Sequence, residues 1–178
     1  GMGVSYCAVC DAAFFEDLEV AVIGGGNTAV EEACYLTGFA SKVYIVHRRD
    51  EFRADKLVVE HAMANPKIVP VLDSVLESIE GSDMVEKIVV RNVKTDEKRE
   101  IPLSGVFVFI GTLPNDEYVR GLLETDSGGW IVTDDKLQTS VPGIFAAGDV
   151  RNTSLRQVVT AAGDGARAAM SAYAYLQH

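Results

Sequence analysis

Two cysteines and an aspartate near the N-terminus are the first candidates for a reactive site. Cys7, Cys10 and Asp11 occur in the segment Cys-Ala-Val-Cys-Asp. A C-x-x-C pair can close a redox disulfide, supply half of a zinc site, or arise by accident. Redox use is favoured, because a zinc site normally needs a second pair of ligands and this spacing tunes one of two neighbouring thiols toward thiolate. Asp11 is either the group that moves a proton during dithiol exchange or an ordinary turn or capping aspartate.

A glycine-rich turn follows the dithiol. Gly24, Gly26 and Ala29 fit the pattern G-x-G-x-x-A, between a mostly apolar run at 18–23 and a helical pattern at 28–36. In such a turn the first glycine allows a tight bend, and the second lets a pyrophosphate approach the backbone. The small residue at the third position of the pattern, here Ala29, lets helix and strand pack closely. The alternative is a glycine turn with a purely structural role, but the order of strand, turn, helix and strand favours dinucleotide binding.

A basic segment, His47-Arg48-Arg49-Asp50-Glu51-Phe52-Arg53, ends the second strand, which is expected at 42–46. An NAD site usually has an acidic residue at this place, to hold the ribose 2′-hydroxyl. Arginines instead suit a 2′-phosphate, through paired charge-assisted hydrogen bonds. The alternative is a solvated basic loop balanced by its own two acids. The cluster favours NADPH.

The remaining pattern predicts an α/β protein with a boundary near residues 110–116. Helices are expected at 55–64 and at about 155–176, and Cys34 is expected to be a small core residue. Residues 94–100 are expected to form a hairpin loop. Further strands are expected at 68–72, 85–92, around Ile101, and at 106–110, 130–133 and 144–147.

The composition and net charge of the chain disfavour some classes of binding partner. The chain has 178 residues, of which 48% are hydrophobic, and a formal net charge of −10. This charge disfavours nucleic acids and anionic membranes as partners, since both would repel the chain. There is neither an apolar run of the roughly 20 residues that a membrane helix needs nor a secretion leader, so a cytoplasmic protein is expected. No histidine spacing supports a metal site.

Together these segments resemble the bacterial-type, low-molecular-weight thioredoxin reductases. The resemblance extends over nearly the whole chain, in family order. Its blocks are Gly-Val-Ser-Tyr-Cys-Ala-Val-Cys-Asp at 3–11, Gly-Gly-Gly-Asn-Thr-Ala-Val-Glu-Glu-Ala at 24–33, His-Arg-Arg-Asp at 47–50, Phe-Arg-Ala at 52–54, Gly-Thr-Leu-Pro-Asn at 111–115, Thr-Ser-Val-Pro-Gly-Ile-Phe-Ala-Ala-Gly-Asp-Val at 139–150 and Arg-Gln at 156–157.

The resemblance implies a Rossmann-like, three-layer NAD(P)-binding domain of the flavin disulfide reductase type at 1–115, followed by part of a FAD-binding domain at 116–178. It implies that electrons pass from NADPH through FAD to the Cys7–Cys10 disulfide and then to thioredoxin, in a homodimer. Cys10 would face the flavin, Cys7 would attack thioredoxin, and Asp11 would be the acid/base. The cofactor-binding residues would be Gly24, Gly25, Gly26, Asn27, Thr28, His47, Arg48, Arg49, Arg53, Gly111, Gly148, Asp149, Arg156 and Gln157.

One departure limits these expectations. Family members begin with a flavin segment that has its own G-x-G-x-x-G, whereas this chain has one such fingerprint. We therefore expect retained NADPH affinity, weak or absent FAD binding, and exposed apolar surface at 144–147 and on the last helix. Two other functions stay open: a flavin disulfide reductase that serves a peroxiredoxin or another acceptor, and a non-catalytic NADPH-binding module.

Overall fold

The computed structural model describes residues 2–177, which fall into two compact units. Unit 1 ends at Ile110 and unit 2 begins at Gly111. Residues 1 and 178, which belong to the predicted domains 1–115 and 116–178, lie outside the described residues. Which cofactor each unit holds stays a prediction.

A five-stranded sheet with only parallel pairings forms the centre of unit 1. In spatial order its strands are β1 (Val4–Ser5), β8 (Gly105–Val108), β2 (Glu19–Ile23), β3 (Lys42–Val46) and β4 (Ile68–Val71). The strands predicted at 18–23, 42–46, 68–72 and 106–110 are confirmed apart from one or two residues at their ends. Because all five strands are parallel, the segments that follow them leave the sheet at one carboxyl edge.

The sheet separates two cores, and the side chains of β2 alternate between them. Val20 and Val22 pack with Ala29 in the core on the helical side. Ala21, between them, packs with Ile88 in the core on the opposite side. This alternation is the period of two that a strand buried on both faces requires. The helices of unit 1 are α1 (Ala8–Asp11), α2 (Asn27–Leu36) and α3 (Lys56–Met63).

A three-stranded antiparallel sheet forms the other outer layer of unit 1. Its strands are β5 (Ser74–Glu80), β6 (Lys87–Asn92) and β7 (Lys98–Pro102), paired in that order. The three layers confirm the predicted Rossmann-like α/β fold. Three details differ from the sequence-based expectations: β1 and β5 were not predicted, β6 begins at Lys87 instead of residue 85, and the hairpin loop expected at 94–100 ends before β7 begins at Lys98.

Unit 2 has little regular structure before its last helix, α4 (Val158–Tyr175). Its core is a small cluster around Leu123, Ile131 and Ala146. The strands predicted at 130–133 and 144–147 are wrong, because these apolar runs form only isolated bridges at Ile131 and Phe145. A short apolar run can pack into a core without forming a strand when no neighbouring extended segment is long enough to pair with it. Two 3₁₀ helices, Glu117–Val119 and Gly148–Val150, complete the unit.

The exposure expected for α4 is confirmed, and that expected for residues 144–147 is wrong. Val158 is 87% and Leu176, just beyond the helix, 77% exposed, whereas Ala146 is buried and its neighbours are half-buried. Among the described residues of α4, Asp164 is the one that is buried. Between residues 2 and 177 no helix has both the length and the apolar character needed to cross a membrane.

Candidate functional site

The glycine turn after β2 has three glycines with three different surroundings. A Cβ on Gly24 would lie 2.3 Å from the carbonyl oxygen of Phe109, and its φ of +149° is a conformation that side chains rarely adopt. A Cβ on Gly25 would lie 2.2 Å from Nδ1 of His47. A Cβ on Gly26 would meet nothing within 4 Å. Two glycines therefore let the backbone pack against protein, and the third leaves its backbone open to a ligand.

Helix α2 begins directly at this open glycine. Gly26 is the N-cap, with φ −90° and ψ 179°, and no side chain caps the helix there. The first N–H groups of a helix have no partner within it and carry the positive end of the helix dipole, so they attract an anion. Thr28 is exposed in this first turn. The side chain of Asn27 instead anchors the start of α3: its amide donates to Asp55 at 2.9 Å and accepts from the Asp55 N–H at 2.7 Å.

The basic loop after β3 is joined to the glycine turn by its backbone. The Arg53 N–H donates to the carbonyl oxygen of Gly25 at 2.7 Å. Arg48, Arg49 and Arg53 are all exposed. Among the described residues, none of the three guanidinium groups has a carboxylate within 4.0 Å. Three free cations therefore lie on a loop that is bound to the turn.

His47 has a different position from the arginines that follow it. Its side chain is buried beside Gly25, with its ring centroid 5.8 Å from that of Phe52. Burial lowers the pKa of His47, and the charges of Arg53, Arg49 and Arg48 lower it further. Its Nε2 is buried without a hydrogen-bond partner in the described chain. His47 therefore packs beneath the glycine turn with a lowered pKa, apart from the three exposed arginines with which the sequence grouped it.

The two N-terminal cysteines form a disulfide immediately after the edge strand β1. Cys7 and Cys10 are bonded, with their Cα atoms 5.3 Å apart. Cys7 is the N-cap of α1, and its sulfur accepts the Cys10 N–H at 3.2 Å. Cys10 is exposed and Cys7 is half-buried. The disulfide is therefore open to exchange on one side, and the Cys7 sulfur has a donor that would stabilise a thiolate.

Ser5 is a site residue that the sequence reasoning missed. This buried side chain donates to the carboxylate of Asp11 at 2.7 Å and lies 3.2 Å from the Cys7 carbonyl oxygen, while its oxygen accepts the Cys7 N–H at 3.1 Å. Ser5 thus holds Asp11 against the dithiol segment. A serine at the end of a two-residue strand carries no sequence signal of this role.

The parallel sheet brings the disulfide and the glycine turn to the same edge. Val4 of β1 is opposite Val106 of β8, and Val106 is opposite Ala21 of β2. The disulfide segment follows β1, and the glycine turn follows β2. Neighbouring strands lie about 4.8 Å apart, so the strands that lead to the two features are about 10 Å apart. One edge of the sheet therefore carries both the disulfide and the glycine turn.

Of the predicted residues in unit 2, Gly148, Asp149, Arg156 and Gln157 lie near the first turns of α4. Gly148 has a φ of +75°, and its N–H donates to Asp164 at 3.2 Å. Asp149 and Gly111 are exposed. Gln157 is the N-cap of α4, joined to Thr160 in a capping box.

The guanidinium group of Arg156 lies over the Trp130 ring, 3.8 Å from its centroid, and its Nε is buried without a partner in the described chain.

Asp164 is a second residue that the sequence reasoning missed. It accepts from Nε of Arg151 at 2.6 Å, and this bond, together with the Gly148 N–H and despite burial, lowers the pKa of its carboxyl group. The pair fixes the Gly148 turn against α4. The signal available in the sequence was that Asp164 is the one acidic residue of an alanine-rich helix.

No metal cluster is present in residues 2–177: no three side chains of His, Cys, Asp or Glu are grouped as ligands.

Comparisons with known proteins identify the family. Residues 1–165 match the family of pyridine nucleotide-disulphide oxidoreductases. The chain is 52% identical to the thioredoxin reductase of Peptoclostridium acidaminophilum and 54% identical to that of Peptoclostridium litorale, in each case over 99% of this chain and 58% of the relative.

A solved structure, the thioredoxin reductase from Streptococcus pyogenes MGAS5005, matches with a TM-score of 0.93 and 52% identity, over 99% of this chain and 58% of the other. The chain thus spans 58% of the length of these relatives. By its matched residues, the chain belongs to the pyridine nucleotide-disulphide oxidoreductase family.

Proposed function

We propose that this chain is the NADPH-binding and dithiol-bearing part of a thioredoxin reductase. Residues 1–115 would bind NADPH and carry the Cys7–Cys10 dithiol, and residues 116–178 would contribute to a FAD-binding domain. One observation carries this assignment: the disulfide and the glycine turn leave the same edge of one parallel sheet. The similarity to thioredoxin reductases supports it.

The residues of unit 1 fit NADPH. The open space at Gly26 and the uncapped start of α2 suit a pyrophosphate. Arg48, Arg49 and Arg53 are exposed and without ion pairs in the described chain, so they suit a 2′-phosphate. Asn27 and His47 would act by holding this framework in place.

Unit 2 offers groups that suit FAD. Gly148, Asp149, Arg156 and Gln157 would hold it, and the buried, unpartnered Nε of Arg156 is a donor that lacks an acceptor. The chemistry that FAD supplies when bound is two-electron transfer from NADPH to a disulfide. Because the described core of unit 2 is small, we expect the 178-residue chain alone to bind FAD weakly. Visible absorbance of a stoichiometric flavin in the purified chain would contradict this.

The proposed dithiol step uses the groups around Cys7. Two electrons and two protons convert the Cys7–Cys10 disulfide into two thiols. Asp11 then accepts a proton from Cys7, whose thiolate is stabilised by the Cys10 N–H. This thiolate attacks one sulfur of the thioredoxin disulfide and displaces the other. Cys10 next loses its proton and attacks the Cys7 sulfur, which re-forms the Cys7–Cys10 bond and releases thioredoxin. The proton held by Asp11 and the proton from Cys10 pass to the two thioredoxin sulfurs, which become thiols.

This step can be tested without flavin. The chain is reduced with dithiothreitol, desalted, and mixed with excess oxidised bacterial thioredoxin. Alkylation and mass spectrometry then count thiols in both proteins. We expect up to one disulfide per chain to be exchanged. The matched control is Cys34→Ser, because Cys34 is the free cysteine, half-buried against the helix-side core, and its loss should leave the exchange unchanged.

Two further variants test the separate roles of the cysteines. Cys10→Ser should accumulate a mixed disulfide between Cys7 and thioredoxin, because the resolving thiol is gone, whereas Cys7→Ser should not. The reverse pattern would show that Cys10 attacks thioredoxin. Exchange with a peroxiredoxin disulfide but not with thioredoxin would identify a different acceptor. Binding of NADPH without any exchange would indicate a non-catalytic module.

Self-association and a reducing compartment complete the proposed function. The exposed side chains along α4, among them Val159, Met170 and Tyr173, form the kind of apolar surface that protein interfaces cover, so we expect a homodimer in sedimentation equilibrium. A cytoplasmic site of action is expected, because the cytosol is the compartment in which the thioredoxin system keeps thiols reduced.

A further inference from the structure

The arginines of the basic loop are free even though acids lie beside them in the sequence. Asp50 follows Arg49 directly and Glu51 follows Asp50. Within the described chain, however, no guanidinium group of this loop forms an ion pair with either carboxylate. This separation matters because an exposed carboxylate next to free arginines would compete with a phosphate for them.

The carboxylate of Asp50 is bound by a lysine from a distant part of unit 1. Nζ of Lys94 lies 3.2 Å from Oδ2 of Asp50 and 2.9 Å from Oδ1 of Asp73. The hydrogen bond from Lys94 and its charge lower the pKa of Asp50, and Arg49 contributes less to the same effect. Lys94 comes from the turn between β6 and β7, which is 44 residues from Asp50 in the chain.

Backbone hydrogen bonds fix Lys94 in this place. The N–H of Val93 donates to the carbonyl oxygen of Asp73 at 2.7 Å, and the N–H of Asp73 donates to that of Arg49 at 2.9 Å. Asp73 has a φ of +50°, so the chain bends sharply at this junction. These bonds attach the antiparallel sheet to the basic loop and hold Lys94 between Asp50 and Asp73.

We propose that Lys94 is a specificity-positioning residue, which occupies the carboxylate of Asp50 so that Arg48 and Arg49 stay available for the 2′-phosphate of a nicotinamide dinucleotide. This role rests on the proposed function, since it assumes that the basic loop reads the 2′-phosphate. Without Lys94, the Asp50 carboxylate turns toward the neighbouring guanidinium groups. A phosphate must then displace it and also meets its unneutralised charge.

The test compares affinities for NADPH and NADH. Isothermal titration calorimetry of the 178-residue chain at low ionic strength gives the ratio of the two dissociation constants. Exposed ion pairs contribute up to about 1 kcal/mol, so Lys94→Met should lower the preference for NADPH by about two- to fivefold. Affinity for NADH should not change. Circular dichroism and the thermal midpoint verify that the variant is folded.

Lys98→Met is the matched control. Lys98 belongs to the same hairpin, and its side chain is 62% exposed, compared with 57% for Lys94. It pairs at 2.7 Å with Glu77 of its own sheet. The control removes the same charge from the same layer, so it should keep the wild-type preference. An equal loss in both variants would overturn the proposed role, because net charge alone would explain it.

A double-mutant cycle separates neutralisation of Asp50 from direct contact with phosphate. Once Asp50→Asn has removed the carboxylate, Lys94→Met should cause no further loss of NADPH preference. A loss of equal size on both backgrounds would show that Lys94 acts as a cation toward the ligand and would overturn the inference. An unchanged preference in Lys94→Met alone would do the same.

The outcome for the wild type keeps this inference separate from the proposed function. If the wild-type chain binds NADPH and NADH equally well, the proposed NADPH specificity itself fails. If the wild type prefers NADPH and Lys94→Met keeps that preference, only the role of Lys94 fails.

Discussion

Unit 1 and unit 2 both contain residues of the kind that bind nucleotides, but they support them differently. In unit 1, the glycine turn follows a strand that lies between two extensive cores, and the residues around the turn are held by hydrogen bonds from several elements. In unit 2, the core is a small cluster, and α4 exposes most of its length. Arg151 and Asp164 provide the main polar link between the Gly148 turn and the helix.

The two units hold their residues in place to different degrees. Positions in unit 1 are fixed by close packing, so substitutions there should change either folding or binding sharply. Positions along α4 have open space around them, so substitutions there should have small effects. Glycines in the two units make this contrast measurable.

The largest effect is expected for Gly25→Ala. The added Cβ would lie 2.2 Å from the buried His47 ring, so the ring and the turn must shift. Overpacking of this kind destabilises by about 1–3 kcal/mol, and we expect the upper end. Urea unfolding followed by circular dichroism measures the loss. A stability equal to that of the wild type would show that the turn is not packed as described.

Gly26→Ala should separate binding from folding. Nothing lies within 4 Å of the added Cβ, so the fold should tolerate it with a loss of about 1 kcal/mol or less at the helix start. The methyl group would occupy the space that a pyrophosphate needs, and we expect NADPH affinity to fall about tenfold or more, which corresponds to about 1.4 kcal/mol. Calorimetry measures the affinity. Unchanged affinity would place the pyrophosphate elsewhere.

Gly163→Ala should have the opposite sign. Gly163 lies inside α4 with open space around its Cβ position. Alanine in a helix interior is favoured over glycine by about 0.5–1 kcal/mol, so the midpoint of the transition that reports on unit 2 should rise. Gly165→Ala is the parallel case in the same helix. A loss of stability in both would mean that this side of α4 is covered in solution.

The smallest expected effect is a change in the pH dependence of stability. The pKa of His47 is lowered in the folded chain, so the unfolded chain takes up its proton first as the pH falls. The stability associated with neutral His47 is therefore complete above the unfolded value of about 6.5 and decreases as the pH falls below it. His47→Gln should show a shallower decrease in the unfolding free energy between pH 7.5 and 5.5. His61→Gln, which removes an exposed imidazole, is the control.

Much of unit 1 could be predicted from sequence because its signals are local. The buried strands β2 and β3 and the amphipathic helix α2 show their period directly, and the glycines between them require a turn. Strand β5 was missed because its register shifts between Leu76 and Ser78, which breaks the alternation on which the prediction depends. Strand β1 has only two residues, too few for any period.

The parts of the site that could not be predicted depend on contacts between distant segments. The pairing of Lys94 with Asp50, the anchoring of Asp55 by Asn27 and the burial of His47 under Gly25 are all set by the fold. In unit 2, apolar runs indicated strands, but the chain supplies only isolated bridges there. Sequence motifs identify the charged and reactive side chains. Contacts with residues that are distant in the chain decide whether those side chains are available to a ligand.

We propose that unit 1 binds NADPH at the turn after β2 and contacts the 2′-phosphate with its basic loop. Amide chemical shifts of the isotope-labelled chain, titrated in turn with NADPH and NADH, test it most directly. We predict that both ligands shift the amides of residues 24–28 and that NADPH alone strongly shifts those of residues 48–53. The claim would be contradicted if the two ligands gave identical shifts in the basic loop, or if the shifts were confined to unit 2.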